Sequence, residues 1–267
     1  MITDFQREIM YRGLATRGRL KADAEELACI DRQLQENPHD YYLWAARGVV
    51  CATAEEAINS YSMALSIRPL APNMFFNRGR RFMSQNHYEL ALADLRLATH
   101  LDPEDGWKWH FYGVVLYFLE RYEDAAQAFL NAIDANDRNQ VPLLPFDVDW
   151  LWNCYGQLGD SERQADCLKL VGPDTQVLDT EESYGRRLKL YNGFMTIQEF
   201  LDGIDYSDEV ETANQLYGLA NYYYYILHDK ENSIKYLNET LSYTGGVKSW
   251  GYKMALLDKS KREKGDV

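Results

Sequence analysis

Large and small apolar positions recur along this chain at one fixed interval. Between Asn73 and Asp105 the order is Phe75, Gly79 and Phe82, then Ala91, Leu95 and Ala98, then Pro103. Thirty-four residues later stand Trp109, Gly113, Leu116, Ala125, Phe129, Ala132 and Asp137, so only the terminal proline loses its chemical class. Shifted back by 34, the second half of the pattern gives Ala57, Tyr61, Ala64 and Pro69. The first half matches at 31 instead, as Trp44 and Gly48. The earliest copy is therefore three residues short between Gly48 and Ala57, where a turn belongs.

The spacing predicts pairs of antiparallel helices. A large residue followed four later by glycine lies on one helix face, and the glycine admits a neighbouring helix closely. Ala91, Leu95 and Ala98 form the facing stripe of a second helix, which Pro103 stops. One such pair cannot bury both its apolar faces, whereas stacked pairs bury a continuous core.

Weaker units flank this centre. Residues 1–38 read as a degenerate helical pair, Asp4 to Arg19 and Asp23 to Asn37, ending at Pro38. Residues 39–140 carry the three good units. Residues 141–171 begin with a two-proline linker, Val141 to Phe146, and continue as a degenerate fourth unit, Asp147 to Leu158 and Ser161 to Val171. Residues 172–211 hold ten acidic and three basic residues, and read as an acidic loop with short helices at Glu181 to Tyr191 and Thr196 to Gly203. Residues 212–267 restore a hairpin, Glu211 to Leu227 and Glu231 to Leu241, turning at His228-Asp229-Lys230. Gly245-Gly246 ends it, and Lys248 to Lys261 reads as a capping helix.

The pattern resembles the tetratricopeptide repeat (TPR), whose consensus is Trp-x2-Leu-Gly-x2-Tyr, then Ala-x3-Phe-x2-Ala, then Pro. The residues that carry the resemblance are Trp109, Gly113 and Leu116, then Ala125, Phe129 and Ala132. It implies an all-α fold, a solenoid of helical hairpins wound as a right-handed superhelix, here with degenerate terminal repeats. The order of units, with Leu190-Tyr191-Asn192-Gly193 and then Thr196-x2-Glu199-Phe200-Leu201, is similar to the bacterial NlpI-like TPR proteins. That resemblance implies the layout and a bacterial origin. Those proteins are lipid-anchored periplasmic adaptors; the location and partners are not carried over, because no signal segment or lipid-carrying cysteine is found here.

Composition narrows the partners. The chain has 267 residues and a formal net charge of −13, which repels nucleic-acid backbones and anionic membranes. No run of 18 apolar residues exists, and Met1 to Leu20 has no apolar core, so neither membrane insertion nor a secretory leader is expected. A cytoplasmic location follows, or a periplasmic one if a signal segment has been removed. The four cysteines lack CxxC spacing and read as buried thiols in a reducing compartment. No GxSxG, HExxH, EF-hand or GxGxxG motif is present, and Gly13-x4-Gly18 is followed by Arg-Leu, not Lys-Ser/Thr. No catalytic residue, metal or cofactor is expected, and the chain reads as a non-enzyme.

Binding is the expected chemistry. In the TPR family, first helices line a concave groove that takes a partner's peptide or helix. The resemblance places Ala45, Val49 and Ala52 there, then Phe76, Arg80 and Met83, then His110, Val114 and Tyr117. Asn77 and Arg81 stand nearby. In the last hairpin it places Tyr222 and Tyr225 in the groove and Tyr217 and Tyr224 in packing; packing or a dimer contact stays open for Tyr222 and Tyr225, and packing for Phe76, His110 and Tyr117. Arg80 favours an acidic or C-terminal carboxylate ligand. The family's chaperone-tail clamp needs a Lys/Asn set where Ala45, Val49, Phe76 and Val114 stand, which disfavours heat-shock tails. The expected function is a protein- or peptide-binding adaptor; the alternative is a scaffold that homodimerises through its C-terminal helices.

Overall fold

The computed structural model describes residues 24–139, 145–173 and 182–264, and among these the regular structure is helical throughout, with no strand. The helix read over Asp4 to Arg19, the Gly13-x4-Gly18 segment and residues 140–144 of the proline linker lie outside the described residues. The chain divides into two compact units, residues 1–141 and 142–267.

The first unit runs α1 (Ala24–Glu36), α2 (Tyr41–Val50), α3 (Ala54–Ile67), α4 (Pro72–Ser84), α5 (Tyr88–Leu101), α6 (Gly106–Phe118) and α7 (Tyr122–Arg138). Helices α2/α3, α4/α5 and α6/α7 are the three hairpins that the 34-residue interval predicts. Their glycines do what the spacing demands. A Cβ on Gly79 would stand 2.9 Å from the Leu95 side chain, one on Gly113 would stand 2.8 Å from the Phe129 ring, and one on Gly48 would overlap the Tyr61 ring. Tyr61 also donates its hydroxyl to the Gly48 carbonyl at 2.8 Å, so tyrosine satisfies a backbone acceptor where its counterparts Leu95 and Phe129 have no polar atom.

Two further sets of contacts recur with the repeat. Trp44 Nε1 donates to the Pro38 carbonyl at 2.8 Å, and Trp109 Nε1 donates to the Pro103 carbonyl at 2.9 Å. The indole thus pins its helix to the proline that ends the preceding one. Arg47 and Arg78, 31 residues apart, each bridge two second helices. Arg47 bonds Asp31 of α1 and Ser60 of α3; Arg78 bonds Asp94 of α5 and Ser62 of α3.

The turns share one geometry. Asn86 and Glu120, 34 residues apart, adopt φ of 60° and 59°. The following N–H then bonds the carbonyl five residues back: His87 to Phe82, and Arg121 to Leu116. This is the left-handed helix terminator that satisfies the last orphan carbonyls. The first hairpin lacks it. The three residues missing there are those of the turn, and α3 starts instead with a capping box between Thr53 and Glu56.

The second unit runs α8 (Pro145–Gln157), α9 (Ser161–Leu168), α10 (Glu182–Tyr191), α11 (Ile197–Asp202), α12 (Glu209–Asn221), a π turn (Tyr222–Ile226), α13 (Lys230–Ser242), a 3₁₀ turn (Thr244–Gly246) and α14 (Trp250–Lys264). The same terminator appears at Gly159 and Gly193, again 34 residues apart, with φ of 68° and 72°. Asp160 bonds Tyr155, and Phe194 bonds Lys189. The two short helices expected within the acidic stretch, Glu181 to Tyr191 and Thr196 to Gly203, are α10 and α11, and they form a fifth hairpin on the repeat's own turn, with a Thr196–Glu199 capping box at the start of α11. Leu188, Leu190 and Phe200 are its buried residues.

The last turn is the informative variant. His228, at φ 53°, follows Gly193 by 35 residues, and Asp229 reaches six residues back, to Tyr223. The extra residue is absorbed in the π turn, where Leu227 bonds Tyr222. Helix α14 then caps the unit. Gly251 lies against the backbone of α12, where a Cβ would stand 2.6 Å from the Asn214 Cα.

Candidate functional site

The site predicted in the first unit lies on α4 and α6. The structure buries most of its members. Phe76, Asn77, Met83 and His110 are buried, and Val114 and Tyr117 have no accessible surface. Val114 and Tyr117 are therefore packing residues, a correction to the expectation that they line an open groove. Tyr117 meets Phe118 and Tyr122 edge-on, joining α6 to α7. In the first hairpin, Ala45 is buried, Val49 half-buried and Ala52 exposed.

Arg80 differs from its neighbours. It is 7% exposed, and its guanidinium lies over the ring of Phe111 at 4.7 Å and that of Phe76 at 5.3 Å. The two rings meet edge-on at 5.5 Å, and Trp107 and His110 pack against Phe111. Burial, aided by the like charge of Arg81, lowers the Arg80 pKa to about 10, with Tyr61 opposing. Nearby cations have carboxylates: Lys108 is held by Asp102 at 2.8 Å and by Asp105, and Arg78 by Asp94 at 2.7 Å. Among the described residues Arg80 has no carboxylate and no hydrogen-bond acceptor; it has two aromatic faces. An arginine fixed by stacking keeps its N–H edge in a preset plane, suited to bidentate pairing with a carboxylate.

Phe111 was not found from the sequence. Positions counted at fixed steps from Trp109 select His110 and pass over its neighbour. Phe111 reaches Arg80 from the next repeat's first helix, a contact that only the stacking of hairpins creates.

The tyrosines of the second unit divide between packing and the turn. Tyr217 is fully buried, as expected for packing, and donates to Asp258 at 2.8 Å. Tyr222 and Tyr225, placed in the groove from sequence, lie with Tyr223 and Tyr224 in the π turn, all half-buried. Their register was set from Ser233 and Leu237 on the second helix, across a turn that the inserted residue lengthens. Tyr225 meets Trp152 edge-on at 5.4 Å and packs over Gly156, where a Cβ would stand 2.7 Å from its ring. Tyr224 lies beneath Arg262, 4.3 Å from its ring centre.

Two fully buried ion pairs stiffen this unit. Arg262 bonds Asp258 at 3.1 Å and also Asn221 and Ser233. Arg187 bonds Asp149 at 3.0 Å. Burial raises the Asp149 pKa to about 6, with Arg187 opposing. All four cysteines are free, and burial with the nearby Asp149 charge pushes the Cys167 thiol up to about 12, the state of an inert thiol.

No protein-family model matches the chain. A heat-shock cognate co-chaperone, sgt12, from Aspergillus fumigatus is 32% identical over 80 residues, 30% of this chain and 24% of its own length. A small glutamine-rich tetratricopeptide repeat-containing protein from Mycosarcoma maydis is 28% identical over 85 residues, 32% of this chain and 24% of its own length. The chain thus spans about a quarter of the length of the curated relatives it matches. PilF of Pseudomonas aeruginosa superimposes over 95% of this chain and 97% of its own, with TM-score 0.53 and 17% identity. The fold is that of a tetratricopeptide-repeat protein. The Cut9–Hcn1 complex gives TM-score 0.56 over 94% of this chain and 48% of its own, at 17% identity. As a TPR array, the chain supplies rigid hairpins on which single side chains such as Arg80 are held by their neighbours. Among the described residues, no helix is long and apolar enough to cross a membrane.

Proposed function

We propose that this TPR protein is a non-enzymatic adaptor that holds an acidic segment of a partner protein, with Arg80 as the charged anchor. One observation carries the reading: a nearly buried arginine, stacked on Phe76 and Phe111, that has no carboxylate among the described residues. A buried charge is stable when paired, and a partner's carboxylate would complete the pair. The fungal relative is named a co-chaperone, but Ala45, Val49, Phe76 and Val114 stand where a chaperone-tail clamp has its Lys/Asn set. The ligand is accordingly an acidic segment read by one arginine and an aromatic wall.

The capped end of the second unit favours an adaptor over a scaffold that dimerises through its C-terminal helices. Helix α14 already covers α12 and α13, and its last turns carry Lys259, Lys261, Glu263 and Lys264. A polar cap does the work that pairing with a second copy would do.

The test is binding of acidic peptides, with free and amidated C-termini, to the full chain and to Arg80→Met. Methionine keeps apolar cover on both rings. Losing one partner of a desolvated charge pair costs about 2–5 kcal/mol, so affinity should fall about thirtyfold or more. Equal affinity in a variant with unchanged thermal melting would refute the assignment.

A further inference from the structure

The second unit contains a cavity of about 580 Å³ that the Arg80 site does not touch. It lies where the turn after α8 and the start of α9 meet the π turn and the first residue of α13. Tyr224, Tyr225 and Leu158 form its walls, and His228 and Lys230 also line it.

Several features show that this cavity is built, not left over. The π turn places two consecutive tyrosines on one cavity. Such one-residue insertions concentrate at functional sites. The wall behind the rings is rigid: Trp152 meets Tyr225 edge-on and stacks on Tyr191 at 4.0 Å, and Tyr224 is perpendicular to Tyr225 at 5.1 Å. Gly156 gives the Tyr225 ring its seat. His228 holds a left-handed backbone without being glycine, which the turn imposes.

The described lining of the cavity carries one charge. Among the described residues Lys230 is the charged residue of the lining, in a chain of net charge −13, and no carboxylate lines it. Two aspartates flank it, Asp160 paired with Arg163 and Asp229 accepting from Asn232. Leu158 and Leu227 are exposed at 38% and 44%, an apolar ledge beside the opening. The volume is in the range of ligand pockets and exceeds what one side chain fills.

We propose that this cavity is a second peptide site, which takes a large apolar side chain of a partner protein flanked by acidic residues. The apolar group sits against Tyr224, Tyr225 and Leu158, and an adjoining carboxylate pairs with Lys230 beside His228. The site is independent of Arg80.

The experiment uses the full chain and fluorescein-labelled nonapeptides with a central Phe between glutamates. Controls carry a central Ala, or lysines in place of the glutamates. The expected result is saturable binding of the Phe–Glu peptide, weakened about tenfold or more by either change in the peptide. Lys230→Glu and Leu158→Asp, both at exposed positions, should weaken it equally in an Arg80→Met background, where the acidic peptide has lost its site in the first unit. Hydrogen exchange should slow at residues 156–164 and 222–230 on binding. Equal binding of the lysine peptide, no binding of the Phe–Glu peptide, or indifference to Lys230→Glu would overturn the proposal. Loss with Arg80→Met but not with Lys230→Glu would place the peptide in the first unit and overturn it as well.

Discussion

Gly113 shows how one residue fixes the distance between two helices. Its missing side chain is filled by the Phe129 ring, so Gly113→Ala must displace a ring that has no free space behind it. The expected loss is about 1–3 kcal/mol in urea melts, and a variant as stable as the parent would refute the close approach. Asp149 and Arg187 make a second residue-scale case, with a sign to work out. The Asp149 carboxyl titrates at about 6 when folded, against 3.8 for its reference value. Between those values the folded chain holds a proton that the unfolded chain has released, so this group's contribution to stability falls as pH rises through that window. Arg187→Met removes the opposing charge and raises the folded pKa further. The variant should lose about 3–5 kcal/mol at pH 7.5 and clearly less at pH 5.5, where protonation removes the uncompensated charge. Equal losses at both pH values in denaturant melts would assign the cost to packing alone.

At the scale of elements, the hairpins were legible because their contacts are made by side chains that must be large, small or absent. Gly48, Gly79 and Gly113 face Tyr61, Leu95 and Phe129, and that pairing is written in residue size. The shared geometry of the turns was not legible, because the left-handed position is filled in order by Asn86, Glu120, Gly159, Gly193 and His228. Backbone geometry is shared there, while side-chain chemistry is not. Both helices of α10/α11 were read from the sequence, but not that they pair as a repeat, and the inserted residue of the π turn has no mark in a run of four identical tyrosines. Of the candidate site, Arg80 was found from its register, whereas its partner Phe111 depends on how two repeats stack. The short first hairpin gives the prediction of this scale. Its start rests on the Thr53–Glu56 capping box without a left-handed terminator before it. Thr53→Ala should cost about 1 kcal/mol, within a range of about 0.5–2. Thr53→Asp should recover most of that, because the carboxylate also caps and meets the positive end of the helix dipole. Failure of Asp to recover stability in thermal melts would show that the reciprocal contact from Glu56, not the N-cap oxygen, carries the effect.

At the scale of the whole molecule, an acidic ligand must approach a chain of net charge −13. Long-range repulsion and short-range pairing therefore act in opposite directions, and salt separates them. Exposed charges are screened over about 10 Å at 0.1 M salt, while a charge as buried as Arg80 is screened much less. Adding salt should first relieve the repulsion felt by an incoming acidic peptide. Its association rate should rise between 20 and 150 mM NaCl, the reverse of the steering seen between opposite net charges. The dissociation rate, governed by the stacked Arg80 and its carboxylate, should change little over the same range. Stopped-flow anisotropy with the acidic peptide reads both rates. An association rate that falls with salt would mean that a cluster of exposed cations captures the ligand, and that Arg80 is not its anchor.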